Sequence, residues 1–173
     1  MTPSAWAGPL VAAAGLLVFA GAVKAWRPDD TARALRRAAL PVSPGLVRGF
    51  AGLEAAVGAG AVILGGPFLA GAVAVSYALF AAFVTAALLR GWPLASCGCF
   101  GESDSPPTIW HVVVDGAFAL ASAAAAIAGG PSPLALAARR PGWGATMVGL
   151  AMVVGGLAYL VMARLPRLRL ESR

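Results

Sequence analysis

Cys97-Gly98-Cys99-Phe100-Gly101 holds the chain's two cysteines one residue apart. Two thiols at that spacing can do redox or soft-metal chemistry. A disulfide across a single intervening residue closes a cramped ring, which departs from relaxed disulfide geometry and makes the bond easier to reduce. The pair suits electron exchange better than stapling, because it cannot tie distant parts of the chain together. The competing reading is two reduced, buried thiols that pack as small apolar side chains.

In thiol exchange, one cysteine forms a mixed disulfide with a partner protein and the other resolves it. Cys97 is the expected entry thiol. Arg90 and His111 would favour the thiolate by nearby positive charge. With one pair, the chain needs an outside donor and acceptor; a membrane quinone is a possible acceptor, although no residue pattern identifies a pocket for it. In the metal reading, Cys97 and Cys99 bind Cu(I) or supply half of a Zn site, with His111 as third ligand.

The elements that must position this pair are membrane helices. The chain is 60% hydrophobic and 12% charged, whereas about a quarter of residues are charged in a soluble domain. Five apolar stretches, near residues 5–23, 45–64, 67–89, 110–129 and 143–163, approach or exceed the ~20 residues needed to cross a hydrocarbon core. All are expected to be helices, since helices satisfy their own backbone in lipid and no stretch shows the period-two alternation of barrel strands. The first is read as a retained helix: no Lys or Arg precedes it, it exceeds a signal-peptide apolar region, and a basic stretch follows. Gly65-Gly66-Pro67 permits only a tight turn, so spans two and three form an antiparallel hairpin. Gly129-Gly130-Pro131-Ser132-Pro133 breaks the chain after span four. The fold expected is an all-α membrane protein: a four-helix bundle over residues 1–130, then a fifth helix and basic tail over 131–173.

Charge sets the orientation. The loops after spans one and three, the ends of their helices and the C-terminus carry Lys24, Arg27, Arg33, Arg36, Arg37, Arg48, Arg90, Arg164, Arg167, Arg169 and Arg173; the other side carries Arg139 and Arg140. That bias places the first side, with Cys97 and Cys99, in the cytoplasm and the N-terminus outside, in a bacterial plasma membrane. The net charge of +6 then reflects topology and anionic lipid, not nucleic-acid binding. Within the first loop, Asp29-Asp30-Thr31 reads as the cap of an interfacial helix on the membrane surface, with Ala32, Leu35, Ala39 and Leu40 on one side and Arg33, Arg36 and Arg37 largely on the other.

Three ionisable residues sit where lipid discourages them: Lys24, Glu54 and Asp115. Each would cost about 2–3 kcal/mol unpaired at mid-bilayer. Glu54 lies six residues beyond Arg48, roughly 9 Å in, and Asp115 five beyond Trp110, roughly 7–8 Å in, at the 1.5 Å helical rise. His111 and Asp115 stand at i and i+4 on one helix face. Lys24, Glu54, His111 and Asp115 are thus expected to form a polar layer beneath the cysteines, either handling protons or, for Lys24 and Glu54, only locking two helices together.

Gly21-Ala22-Val23-Lys24 with Trp26-Arg27-Pro28, Glu54, the Cys97–Gly101 run and an aromatic-led fourth span resemble the methylamine-utilisation MauE family, within the DoxX-like membrane proteins, over roughly residues 8–128. The resemblance implies a four-helix membrane core and thiol-disulfide handling beside a thioredoxin-like partner that matures a redox enzyme. It also implies extracytoplasmic chemistry, against the charge count, which sets the topology with Cys97 and Cys99 in the cytoplasm. A reducing cytoplasm would keep both cysteines mostly as thiols, in transient relay or metal capture. A third class stays open: a non-catalytic subunit or assembly factor of a larger membrane complex, for which Ala- and Gly-rich helix faces are the motive. No phosphate loop, serine nucleophile constellation or zinc-protease helix occurs.

Overall fold

The computed structural model describes residues 3–37, 40–92, 107–129 and 132–164; Cys97 and Cys99 lie outside the described residues. Within these, a 3-10 turn (Pro3–Trp6) leads into α1 (Ala7–Trp26), α2 (Pro28–Arg37), α3 (Pro44–Ile63), α4 (Pro67–Leu89), α5 (Ile109–Ala128), α6 (Pro133–Arg139) and α7 (Pro141–Tyr159), the last continuing as a wider turn through Arg164. Five of these, α1, α3, α4, α5 and α7, are long and apolar enough to cross a membrane. The described residues form no strand. The protein is an all-α membrane protein, as its composition requires.

Local chemistry sets the ends. Pro44 opens α3 at a position whose N–H would be unpaired anyway, and Ser43 accepts the Leu46 N–H at 3.3 Å. Ser132 and Pro133 repeat the device at α6, with Ser132 accepting the Ala135 N–H at 2.9 Å. Gly129 terminates α5 in the left-handed conformation at φ 59°, where a glycine has no Cβ penalty. Gly65 combines a φ of 68° with a close approach: a Cβ there would stand 2.4 Å from Ser132 Cα, so the α3–α4 turn packs onto the turn that opens α6.

The sequence reading met two corrections. The segment before α7 contains the seven-residue helix α6, whose shortness hides its period among the prolines. The helix after α1 begins at Pro28 instead of being capped by Asp29-Asp30-Thr31; both acids sit inside its first turn, where they favour the positive helix end, and Asp30 pairs with Arg33. Ala32, on the apolar side of this helix, is fully buried, whereas Leu40, beyond its end, is exposed.

α1 is the central helix. Ala13, Ala14 and Leu17 are buried at its middle, in one cluster with Val73 and Tyr77 of α4, Phe118 of α5, and Ala151 and Ala158 of α7. The Tyr77 hydroxyl donates to the Ala13 carbonyl at 2.7 Å. α3 packs along the whole of α1, and α4 along α5; α7 lies on α1, where Tyr159 meets Phe19 edge-on at 5.9 Å. Helices α3 and α4 are joined by the expected tight turn but pack mainly on other helices, so the hairpin is splayed. Its physical cause is the small-residue seam between α1 and α3. A Cβ on Gly21 would lie 2.6 Å from the Ala51 carbonyl, and one on Gly58 2.6 Å from the Ala14 carbonyl. Ala14 and Gly21, like Ala51 and Gly58, are seven residues apart, two helical turns, so the backbones touch twice along one face.

Candidate functional site

The close approach at Gly21 decides what happens one turn on. α1 and α3 are antiparallel neighbours, and helical side chains lean toward their own N-terminus. Lys24, three residues past Gly21, therefore leans back along α1, and Glu54, three past Ala51, leans toward it. The two form an ion pair. Lys24 is 6% exposed, and its ammonium also lies over the Phe80 ring of α4, 4.8 Å from the centroid. Phe80 meets Tyr77 edge-on at 5.9 Å, and Tyr77 meets Phe118 at 5.2 Å, so an aromatic row carries the packing from the ion pair across to α5. Arg48 Nε donates to the Ala25 carbonyl at 3.2 Å, closing an orphan acceptor at the end of α1.

α5 presents the other half. His111, Asp115, Phe118, Ser122 and Ala125 are its buried positions, spaced 4, 3, 4 and 3. His111 is 0% and Asp115 2% exposed. At the helix start, the Thr108 N–H donates to His111 Nδ1 at 3.2 Å while the Thr108 side chain accepts from the His111 backbone N–H. This is a capping box with histidine where glutamate or glutamine usually stands. Accepting at Nδ1 puts the proton of a neutral ring on Nε2.

All four predicted residues are thus buried or half-buried at one end of the bundle. Lys24 and Glu54 are in direct contact; His111 and Asp115 share a face of α5. Arg90 stacks over Trp92, 5.7 Å from its centroid. Trp92 in turn packs on Phe83 at 5.8 Å, and Gly91 at φ 59° turns the chain back over the α4 end. The segment that contains Cys97 and Cys99 leaves from this anchored turn and rejoins the bundle at the Thr108–His111 cap, at the same end as the ion pair. Among the described residues no group of three His, Cys, Asp or Glu side chains could hold a metal ion; the metal reading of Cys97, Cys99 and His111 turns on two residues outside them.

Sequence reasoning missed Phe80, Tyr77 and Ser122. Tyr77, Phe80 and Val84 recur at helical spacing, but an apolar helix offers no contrast to single out one face. Ser122 was recoverable: it lies seven residues after Asp115, two turns along the same face, and is 0% exposed.

The profile of the family described as Methylamine utilisation protein MauE matches residues 1–129. The chain belongs to that family: it is a MauE-family membrane protein, and the match ends at the close of α5, leaving α6 and α7 outside. No curated protein and no solved structure matches it.

Proposed function

We propose that this protein is a thiol-disulfide relay of the membrane, acting in methylamine utilisation by exchanging electrons through Cys97 and Cys99 with a thioredoxin-like partner that matures a redox enzyme. The observation that carries the reading is the placement of a buried polar set, Lys24, Glu54, His111 and Asp115, at the bundle end to which the cysteine segment is anchored on both sides. Charges at that depth cost free energy that lipid does not return, and proton-coupled thiol exchange is a use for them. Cys97 attacks or is attacked, Cys99 resolves, and thiolate formation releases protons that Glu54 and Asp115 receive. The side carrying Arg48 and Arg90 faces the cytoplasm of a bacterial plasma membrane.

Trapping tests it. Cys99→Ser lacks the resolving thiol and should accumulate a mixed disulfide with the partner through Cys97, visible as a reductant-sensitive band in cells quenched with acid. Cys97→Ser should not accumulate it. Absence of any mixed disulfide in both variants rejects the relay and leaves the subunit reading, in which stoichiometric partners copurify without thiol linkage.

A further inference from the structure

The splaying of α3 from α4 leaves a groove of about 940 Å³ that runs between them from the Pro67 turn to α2, open toward the bilayer. From Phe68 to Phe83 it runs fifteen residue steps along α4, roughly 22 Å at the helical rise. Two of its properties are chemical. Its wall is largely apolar: besides Ser76, whose hydroxyl is spent on the Ala72 carbonyl, the polar lining lies at the α2 end, where Lys24 and Glu54 stand with Thr31. And Phe50, Phe68, Phe80 and Phe83 line it too, four of the chain's seven phenylalanines.

We propose that this groove binds an uncharged, ring-headed lipid of the quinone class, its ring against the phenylalanines beside the Lys24–Glu54 pair and its isoprenoid tail along α4. An ion pair is net neutral and offers a donor and an acceptor side by side: the ammonium can donate to a quinone carbonyl, and the carboxylate can accept from a hydroxyl of the reduced quinol. It does not match a phosphate, which the Glu54 carboxylate would repel in a low dielectric. Flat rings stack on phenylalanine faces better than acyl chains do, and a long apolar trough with few polar groups is the usual form of a small-molecule site. The purpose of such a lipid, as electron carrier for the cysteines, rests on the thiol reading; its binding does not.

The test uses the full chain in nanodiscs and an azido-ubiquinone photolabel, with labelled peptides mapped by mass spectrometry. Label should fall on α3 and α4 peptides containing Phe50 and Phe80, and excess decylubiquinone should suppress it at least tenfold while the same excess of phosphatidylglycerol does not. A side chain at Gly71 has open space around it, so Gly71→Leu should fill the groove and cut labelling at least fivefold. Val75→Trp, from a half-exposed position on the same wall, serves if the first variant fails to fold. Labelling spread evenly onto α7, insensitivity to both variants, or equal displacement by phosphatidylglycerol overturns the proposal. Labelling should persist in the Cys97→Ser/Cys99→Ser protein; a wild-type protein that is labelled in the groove but exchanges no thiols rejects the relay alone, and one that exchanges thiols but takes no label rejects the quinone site alone.

Discussion

Removing one partner of the Lys24–Glu54 pair should damage the fold more than removing both. Lys24 is 6% exposed and the Glu54 side chain 16%, so Glu54→Leu strands an ammonium in a dry helix junction and Lys24→Met strands a carboxylate. Breaking a buried pair from one side costs about 3–5 kcal/mol. The Phe80 face, worth up to about 2 kcal/mol to a desolvated cation, softens the first case and brings the expected loss to about 3 kcal/mol. In Lys24→Met/Glu54→Leu no charge is left behind, and apolar replacements of a buried pair are often neutral. The double variant should therefore lie within about 1 kcal/mol of the wild type, a coupling of at least about 5 kcal/mol in the double-mutant cycle. SDS-titrated unfolding in mixed micelles, followed by tryptophan fluorescence, reads it directly. Additive effects, or single losses below about 1 kcal/mol, would show that the pair is solvated and would remove the premise of a buried polar layer. If the pair also handles protons, the double variant stays folded while thiol exchange slows.

Gly21→Ala and Gly58→Ala should each destabilise by about 1–3 kcal/mol in the same assay, because each new methyl meets backbone at 2.6 Å that cannot yield as a side chain would; Gly71→Ala, with nothing nearby, should change little. His111→Gln should keep the α5 capping box and its stability, whereas His111→Ala should lose about 1 kcal/mol; retained activity in the Gln variant would assign His111 to capping alone. Reporter fusions after Arg164 should give a cytoplasmic signal, and an extracytoplasmic signal would reverse the sidedness read from the basic residues.

The spans were legible because lipid demands long uninterrupted apolar stretches, and residues 67–89 stand as α4 without adjustment. Lys24, Glu54 and Asp115 were legible for the opposite reason: each breaks an apolar pattern that tolerates few charges. Which helices pair was not. A tight turn at Gly65-Gly66 joins α3 to α4, and chain proximity reads as packing, yet the contact goes to α1 through Gly21 and Gly58, whose seven-residue spacing is lost among 22 glycines. Phe80 as the cover of Lys24 was hidden likewise, since it follows from how α4 lies across α1. His111 carried a signal for chemistry, and its Nδ1 turns out to close a helix start, a role that the threonine three residues earlier announces.

Maleimide-polyethylene-glycol labelling of the folded protein, before and after mild oxidation, shows whether Cys97 and Cys99 are a reactive pair. The relay predicts that both native thiols react, that oxidation protects both together, and that a reduced thioredoxin restores them. Labelling that requires denaturation and ignores oxidation would show two packed, inert thiols and contradict it.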